Sequence, residues 1–307
     1  MTQVPQERTL SDILRERGEM VRQALDRALA APDPGTDAAR EHSQRLYEAM
    51  RYMVLGGGKK LRPVLVLLAA EACGGSVEEA MPAACSVEMV HTYSLIHDDL
   101  PAMDNDDLRH GKPSCHRAFG EAMAILAGDA LLTEAFAVLA TGVADVAKAR
   151  RLAAELAGAA GAAGMVGGQV ADLAAERQGS CDERILDIIH RRKTARMIEA
   201  SAVMGAIVAG ASEHYERSLR AYGAHLGMAF QIADDILDTT ASTQALGKTA
   251  GKDAAAGKLT YVKCYGLAAA RDRARAEADR AVDALTVFGH EADWLRDLAR
   301  FVVERSS

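Results

Sequence analysis

Aromatic residues are scarce in this chain of 307 residues: only 4% are Phe, Trp or Tyr, and there is a single Trp. Alternation of apolar and polar residues, the pattern of a half-buried strand, is scarce as well. Through most of the chain, apolar residues instead recur every three or four positions, as they do on one face of a helix. Alanine is abundant, so the predicted helices can approach one another closely. We therefore predict an all-α fold.

Cysteine is also sparse. The five cysteines are an odd number and none lie in a close pair, so neither a zinc site nor a disulfide framework can be predicted from them. Reduced thiols in a cytoplasmic protein are the expectation. The N-terminus lacks the apolar core of a signal peptide. The longest uncharged runs, at 156–171 and 200–212, are too rich in Gly and Ala or too short to cross a bilayer, so we expect no membrane span.

An excess of positive charge is missing too. The net charge is −7, which argues against a broad surface for nucleic acid. A local basic pocket for a small anion is compatible with that total. The chain has no long linker rich in Pro, Gly or Ser and no internal repeat. We expect residues 1–307 to form one domain without a nucleic-acid partner.

The clearest helical stripe lies between Leu219 and Leu237, where apolar residues would bury one face of a long helix. Ser11 is predicted to cap the first helix, and Pro63 is predicted to lie in the first turn of another. Glycines at 56–58 and 74–75 predict helix ends. We expect about ten helices or more on this pattern.

Two clusters of aspartate follow apolar helical stretches. The first, in "SLIHDDLPAMDNDDLRHG", contains Asp98, Asp99 and Asp104, and Pro101 should end or bulge the helix so that Asp104 returns towards Asp98. The second, "QIADDILD", contains the three carboxylates of Asp234, Asp235 and Asp238. The first and last of these are four residues apart, so they share one helical face, and Gln231 lies on it too.

Oxygen ligands at this density suit a hard cation, and magnesium in particular is often shared with substrate phosphates. A solvated helix end would explain either cluster alone. A calcium loop is excluded because the alternating Asp/Asn pattern, the Gly and the distant Glu are absent. Two clusters together predict a metal-bridged phosphate site.

Basic residues that could bind the remaining phosphate charge lie in several places. "GGGKKLRP" provides Lys59, Lys60 and Arg62 at the start of a predicted helix, where backbone amides also favour a phosphate. It is not a nucleotide P-loop, since the four-residue gap and the Ser/Thr after Lys are missing. A basic surface loop is the alternative interpretation. Further candidates follow the acidic clusters or lie between them: Arg109, His110, Lys193, Thr194, Lys248, Lys252 and Lys258.

These motifs resemble the trans-prenyl diphosphate synthases, most closely the bacterial farnesyl diphosphate synthase type, or geranyltranstransferases. The resemblance runs in order through "GGGKKLRP", "HDDLPAMDNDDLRHGKPSCH", "LAGDALL", "GGQVADL", "KTARM", "FQIADDILD" and "LGKTAGKD". It implies an isoprenoid-synthase helical bundle around a deep central cavity, in a homodimer. It also implies that allylic diphosphates (dimethylallyl and geranyl) are condensed with isopentenyl diphosphate through ionisation, condensation and proton elimination.

The resemblance assigns roles residue by residue. The two Asp-rich motifs would face each other and hold three Mg²⁺ on the allylic diphosphate. Lys59, Arg62 and His91 match positions that bind isopentenyl diphosphate, although a lone helical His is more often a core residue. Lys193, Thr194 and Gln231 match positions that hold the allylic substrate or stabilise the forming cation, as do Arg109, Lys248 and Lys258. His110 replaces the usual Arg of this family, which weakens the charge on the isopentenyl side when the His is neutral.

Product length should depend on the side chains below the first Asp-rich motif. Tyr93 lies five residues before Asp98, about 7.5 Å deeper along a helix, and Ser94 is beside it. In the family an aromatic at this position accompanies a fifteen-carbon product, so farnesyl diphosphate is predicted. The alternatives are a geranylgeranyl diphosphate synthase, a terpene cyclase, whose second metal motif differs from "DDILD", and a non-catalytic subunit on the same scaffold.

Overall fold

A computed structural model describes residues 8–31, 38–178, 182–240 and 258–304. These residues form fourteen α-helices, and the predicted all-α fold is confirmed. The helices are α1 (Leu10–Ala28), α2 (Ala38–Val54), α3 (Leu61–Ala72), α4 (Val77–Asp98), α5 (Cys115–Phe119), α6 (Glu121–Gly142), α7 (Val146–Ala160), α8 (Met165–Gln178), α9 (Glu183–Ile189), α10 (Arg196–Ala209), α11 (Glu213–Thr240), α12 (Tyr261–Tyr265), α13 (Leu267–Ala284) and α14 (Asp293–Glu304).

Helix α4 is the central helix of the fold, since most of its side chains are buried. It packs against α3, α6 and α10. Helix α11 buries the predicted stripe, including Leu219, Tyr222 and Leu226, against α10 and α13. Both helices therefore have their Asp-rich ends fixed by buried apolar packing.

Helix ends follow local sequence signals. Thr9 caps α1, because its hydroxyl accepts a hydrogen bond from the Asp12 amide at 3.2 Å while the Asp12 carboxylate accepts from the Thr9 amide. The expected cap at Ser11 is thus wrong by two residues. Helix α2 ends before the glycines at 56–58, and α3 ends before those at 74–75, as predicted.

The chain folds back immediately after α4. The amide of Asp104 donates to the carbonyl of Asp98 at 2.8 Å, and the amide of Asp106 donates to that of Asp99 at 3.1 Å. The predicted return of Asp104 towards Asp98 is confirmed. A turn made in this way brings the spaced carboxylates of the first motif to one end of α4.

A short hairpin that the sequence did not predict follows this turn. Strands β1 (Leu108–Arg109) and β2 (Lys112–Pro113) pair antiparallel, with Arg109 opposite Lys112. His110 and Gly111 connect the strands with φ values of 52° and 76°. Positive φ at both central residues is the type I′ geometry that matches strand twist, and it fixes the direction of Arg109 and His110.

A π-helical segment, His190–Ala195, joins α9 to α10 and carries Lys193 and Thr194. Glycines from two neighbouring helices lie against its backbone. A Cβ at Gly168 of α8 would lie 2.3 Å from the Lys193 nitrogen, and one at Gly227 of α11 would lie 2.5 Å from the Ala195 Cα. Only glycine permits such close approach, so α8 and α11 hold this segment between them.

Cys73, Cys85 and Cys115 are free thiols, whereas Cys264 is disulfide-bonded, so the expectation of reduced thiols is wrong for Cys264. Helix α6 is long and apolar enough to cross a membrane by length and composition alone. Because core helices of soluble proteins pass the same test, this is weak support for a span.

Candidate active site

One cavity of about 600 Å³ lies at the end of α4 and beside α11. Nearly all the predicted substrate-binding residues line it. They are Lys59, Arg62, His91, Arg109, His110, Lys193, Thr194, Gln231 and Lys258. Lys248, the remaining predicted residue, lies outside the described residues. Segments far apart in sequence therefore meet in one concave site, as a binding pocket requires.

Both Asp-rich motifs contribute to the wall. Asp98 and Asp104 line the cavity from α4 and its turn, and Asp234 and Asp235 line it from α11. Asp99 and Asp238 are buried but are not part of the cavity lining. The structure therefore brings two of the three carboxylates of each motif to a common wall.

The two carboxylates of the first wall, Asp98 and Asp104, have pKa values that are shifted in opposite directions. The Asp98 carboxylate accepts a hydrogen bond from the Gln169 amide at 2.7 Å. Burial nevertheless raises the pKa of Asp98. Burial would raise the pKa of Asp104 too, but the cations of Lys258 and Lys193 outweigh it and lower that pKa. Lys258 donates to Asp104 at 3.1 Å.

Asp99 binds Arg109 of the hairpin and does not line the cavity. Its side chain is fully buried and pairs with the guanidinium of Arg109, whose Nε donates to Oδ1 at 3.1 Å. Burial raises the pKa of Asp99 to about 6 against the opposing effect of Arg109. The pair orients Arg109 towards the cavity while the hairpin backbone holds it from the other side.

Asp235 is the centre of a hydrogen-bond network on the second wall. The Gln231 amide donates to its Oδ1 at 2.9 Å, and the Tyr261 backbone amide donates to its Oδ2 at 2.8 Å. His190 Nε2 lies 3.6 Å from Oδ2. Thr194 in turn donates to the Gln231 carbonyl oxygen at 2.5 Å. This network links α11 to α12 and to the π-helical segment, so it fixes Thr194 and Gln231 against each other.

Helix α8, to which no role was assigned from the sequence, supplies a third wall of the cavity through Asp172 and Glu176. Gln169 and Asp172 are buried, and Lys193 donates to Asp172 at 2.6 Å. Burial would lower the pKa of Lys193, but Asp98, Asp172 and Asp104 outweigh it and raise the pKa. The spacing of three in "GGQVADL" places Gln169 and Asp172 on one helical face, and this was the available signal.

The part of the cavity lined by Lys59, Arg62 and His91, called its basic end below, carries basic side chains from α3 and the segment before it. Arg62 Nη1 lies 3.2 Å from His91 Nε2. Burial, followed by the charges of Arg62 and Lys60, lowers the pKa of His91 well below its ordinary value. Burial and Arg109 lower the pKa of His110. Both imidazoles are therefore neutral at neutral pH, and the positive charge of this end comes from Lys and Arg.

The predicted chain-length residues do not line this cavity. Tyr93 is buried in the hydrophobic core, with its ring 5.8 Å from that of His97. Ser94 is buried and donates to the His91 carbonyl at 2.8 Å. Thr92 and Leu95 of the same helix do line the cavity. The structure thus gives no support to Tyr93 as its floor.

The donor chemistry of the acidic walls fits Mg²⁺, because carboxylate oxygens are the protein ligands this ion prefers. In the described part of the chain, no group of three or more Asp, Glu, His or Cys side chains is already arranged to hold a metal ion. Arg109 and Lys258 instead pair with Asp99 and Asp104. A divalent cation would compete with these basic groups, and it would favour the ionised carboxylates.

Comparison with known proteins agrees with this arrangement. The chain is 49% identical over 278 residues to the heterodimeric geranylgeranyl pyrophosphate synthase large subunit 1 of Arabidopsis thaliana, covering 89% of this chain and 72% of the relative. It is 43% identical to a dimethylallyltranstransferase of Fischerella ambigua, covering 97% and 84%.

Solved structures match over most of their length. An FPP/GFPP synthase from Zymomonas mobilis has a TM-score of 0.84 and 39% identity, covering 96% of this chain and 98% of that one. A geranyltransferase from Helicobacter pylori, complexed with magnesium and isoprenyl diphosphate, has a TM-score of 0.82 and 29% identity, covering 98% and 99%. The Polyprenyl synthetase family model matches residues 43–287. With its acidic walls, its basic end and this match, the chain belongs to the polyprenyl synthetase family of prenyltransferases.

Proposed function

We propose that the chain condenses isopentenyl diphosphate with allylic diphosphates and that its main product is geranylgeranyl diphosphate. The observation that carries the reaction is a cavity that Asp98 and Asp104 line from one side and Asp234 and Asp235 from another, with a basic end beside them. Family membership supports the class of reaction.

The two diphosphates take different ends of the cavity in this proposal. Lys59, Arg62 and neutral His91 bind isopentenyl diphosphate, with His110 adding little charge. Arg109, Lys193 and Lys258 bind the allylic diphosphate beside the carboxylates. The basic side chains beside each diphosphate then offset the repulsion between the two anionic substrates.

Mg²⁺, held by Asp98, Asp104 and Asp234 with the other motif carboxylates nearby, supplies electrostatic stabilisation of the departing diphosphate. That the related Helicobacter pylori geranyltransferase was solved with magnesium supports the assignment. A complement of three ions is part of the proposal. Lys193 stabilises the same leaving group, since its raised pKa keeps it protonated at neutral pH.

The allylic C1–O bond breaks with its electron pair leaving on the diphosphate. The alkene of isopentenyl diphosphate then forms the new C–C bond, and loss of a proton to the released diphosphate restores an alkene. Thr194 and Gln231 stabilise the forming cation through their oxygen lone pairs, because their mutual hydrogen bond and Asp235 fix their orientation. Apolar wall residues such as Leu95 and Phe230 exclude water, which would quench the cation.

Two observations favour the twenty-carbon product. Most of the similar curated relatives are named geranylgeranyl pyrophosphate synthases, as is a solved neighbour from Pyrococcus horikoshii. Tyr93 lies off the cavity wall. Farnesyl diphosphate, predicted from the sequence, is the second candidate, because the buried Tyr93 lies five residues before Asp98 on α4 and the Zymomonas mobilis neighbour is an FPP/GFPP synthase.

The product can be identified directly. The protein is incubated with Mg²⁺, isopentenyl diphosphate and labelled dimethylallyl, geranyl or farnesyl diphosphate, and the products are separated by mass. Consumption of farnesyl diphosphate with a twenty-carbon product supports the first proposal. Accumulation of a fifteen-carbon product with no use of the farnesyl primer establishes the second. No turnover with any primer by a folded protein would favour the non-catalytic subunit.

We further propose a homodimer in which each chain forms one domain. We place the dimer interface on α6, where the apolar residues Ile125 and Leu126 are exposed. This helix is apolar, yet only a third of its most hydrophobic stretch is buried within the chain. The family match over 43–287 supports the single domain. Sedimentation of the protein and of its I125E/L126E variant tests the dimer. A cytoplasmic location stays a prediction, since several relatives are chloroplastic.

A further inference from the structure

Lys60 differs from its basic neighbours in the glycine-rich stretch. Its Nζ lies 2.8 Å from Glu88 Oε1, and the two side chains are only 9% and 5% exposed. The same Nζ donates to the Val54 carbonyl at 2.7 Å and to the Gly57 carbonyl at 2.9 Å. An ammonium group has three N–H donors, and these three partners occupy them. Lys60 is therefore not free to bind a phosphate, although it lines the cavity.

The segment that Lys60 holds has an unusual backbone. Gly57 and Gly58 have φ values of 135° and 85°, and Lys60 itself has a φ of 49°. A non-glycine residue persists in the left-handed region only when its surroundings hold it there. Contacts to the end of α2 and to Glu88 of α4 provide that restraint. The positive charge also lies at the carbonyl end of α2, where a cation is favoured.

Two contacts from α4 thus fix the start of α3. Glu88 binds Lys60, and His91, one turn further along α4, lies against Arg62. Lys59, on the other side of Lys60, is exposed, with its Nζ 5.8 Å from the ring of Phe301. Since Lys59 and Arg62 flank Lys60, the conformation of Lys60 sets where both of their side chains enter the cavity.

We propose that Glu88 and Lys60 form a positioning pair for the isopentenyl diphosphate subsite. The inference rests on the proposed function and assigns this pair no contact with substrate. Glu88 also prevents Lys60 from adding a mobile charge among Lys59, Arg62 and Arg109. A positioning pair of this kind should affect one substrate only, because the allylic end is held by different residues.

The test is the variant Glu88→Gln, which keeps the size of the side chain and removes its charge. We expect the KM and the calorimetric Kd for isopentenyl diphosphate to rise about tenfold. The KM for the allylic substrate and the kcat should stay within about twofold. Glu71→Gln is the matched control, because it breaks the Arg17–Glu71 ion pair of 2.7 Å on α1 and α3 away from the cavity. It should leave both KM values unchanged.

A double variant separates positioning from stability. K60M/E88M leaves no unpaired buried charge, so its thermal midpoint should exceed that of K60M alone. Its affinity for isopentenyl diphosphate should nevertheless stay low, because the anchors to Val54 and Gly57 are lost. Affinity that recovers with stability would overturn the proposal.

Other outcomes decide the remaining cases. Wild-type affinity in E88Q, or an equal rise in both KM values, would also overturn the positioning role. A wild-type protein that binds isopentenyl diphosphate without turning it over contradicts the proposed reaction, while the calorimetric comparison still decides this inference. Wild-type protein that does not bind isopentenyl diphosphate at all contradicts both.

Discussion

Lys258 donates a hydrogen bond to Asp104 at 3.1 Å although the two residues are 154 positions apart. The contact joins the segment before α12 to the turn after α4, and both side chains are less than a fifth exposed. Lys258→Ala should therefore raise the pKa of Asp104 and remove one cation from the allylic end. We expect the KM for the allylic substrate to rise about tenfold. Steady-state kinetics with both substrates varied will measure it.

Lys263→Ala is the control for that experiment, because Lys263 is exposed on α12 and does not line the cavity. An unchanged allylic KM in Lys258→Ala would show that this lysine only ties the two segments together.

The carboxylates of the two walls should be needed for catalysis. Asp98→Asn and Asp234→Asn are each expected to lower kcat about a hundredfold or more, because each removes an anionic oxygen donor from the proposed metal site. Chelation by EDTA should abolish turnover, and added Mg²⁺ should restore it. Asp129→Asn on the exposed face of α6 serves as control. Full activity after complete chelation would contradict the metal assignment.

A substitution at Tyr93 distinguishes between the two candidate products, which have fifteen and twenty carbons. Because its ring lies in the core, Tyr93→Ala should lower the free energy of unfolding by about 3 kcal/mol or more. It should leave a twenty-carbon product unchanged if the cavity wall is formed by Thr92 and Leu95. Mass analysis of the products and urea titration measure the two effects. A wild-type product of fifteen carbons that lengthens in the variant would restore Tyr93 as the residue that limits length.

His190 should make stability depend on pH. Burial lowers its pKa from 6.5 to about 4, so the unfolded chain binds the proton more readily than the folded protein between these values. Stability due to neutral His190 is complete above pH 6.5 and is lost as the pH falls. Relative to His190→Asn, the wild-type protein should lose about 2 kcal/mol between pH 7 and pH 5. Urea titrations at both pH values test this, and parallel losses in the two proteins would contradict it.

His110 tests the charge of the isopentenyl end. Its imidazole is neutral at pH 7, since burial and Arg109 lower its pKa. His110→Arg adds a permanent cation and should lower the KM for isopentenyl diphosphate by roughly threefold at low salt. His110→Gln, which stays neutral, should change that KM little. A higher KM in the Arg variant would indicate that contact of the ring with Gly57 and Gly58 matters more than charge.

Motif spacing predicted which residues form this site better than it predicted the hydrogen bonds and ion pairs among them. The helical period placed Gln231, Asp234 and Asp235 on α11, and Pro101 correctly indicated that the chain turns after α4. The sequence could not show that Asp99 pairs with Arg109 or that Asp235 binds Tyr261. Such contacts depend on how separate helices pack, and no local pattern encodes them.

The hairpin and the third wall were missed for different reasons. Two-residue strands are too short for alternation to be detected, and the turn at His110 lacks the usual Asn-Gly or Asp-Gly pair. Gln169 and Asp172 lie among small residues of α8 without a neighbouring cluster of charge. The prediction for Tyr93 relied on its distance along α4 but not on its direction around the helix.

The π-helical turn at His190–Ala195 makes this part of the chain sensitive to length. Deleting one residue there would restore ordinary α-helical winding, so the residues that remain would face new directions around the helix. Lys193 and Thr194 could not then both keep their present hydrogen bonds, the first to Asp172 and the second to Gln231. Substitutions at the exposed Arg191 and Arg192 should be tolerated by this turn, whereas a single-codon deletion should not.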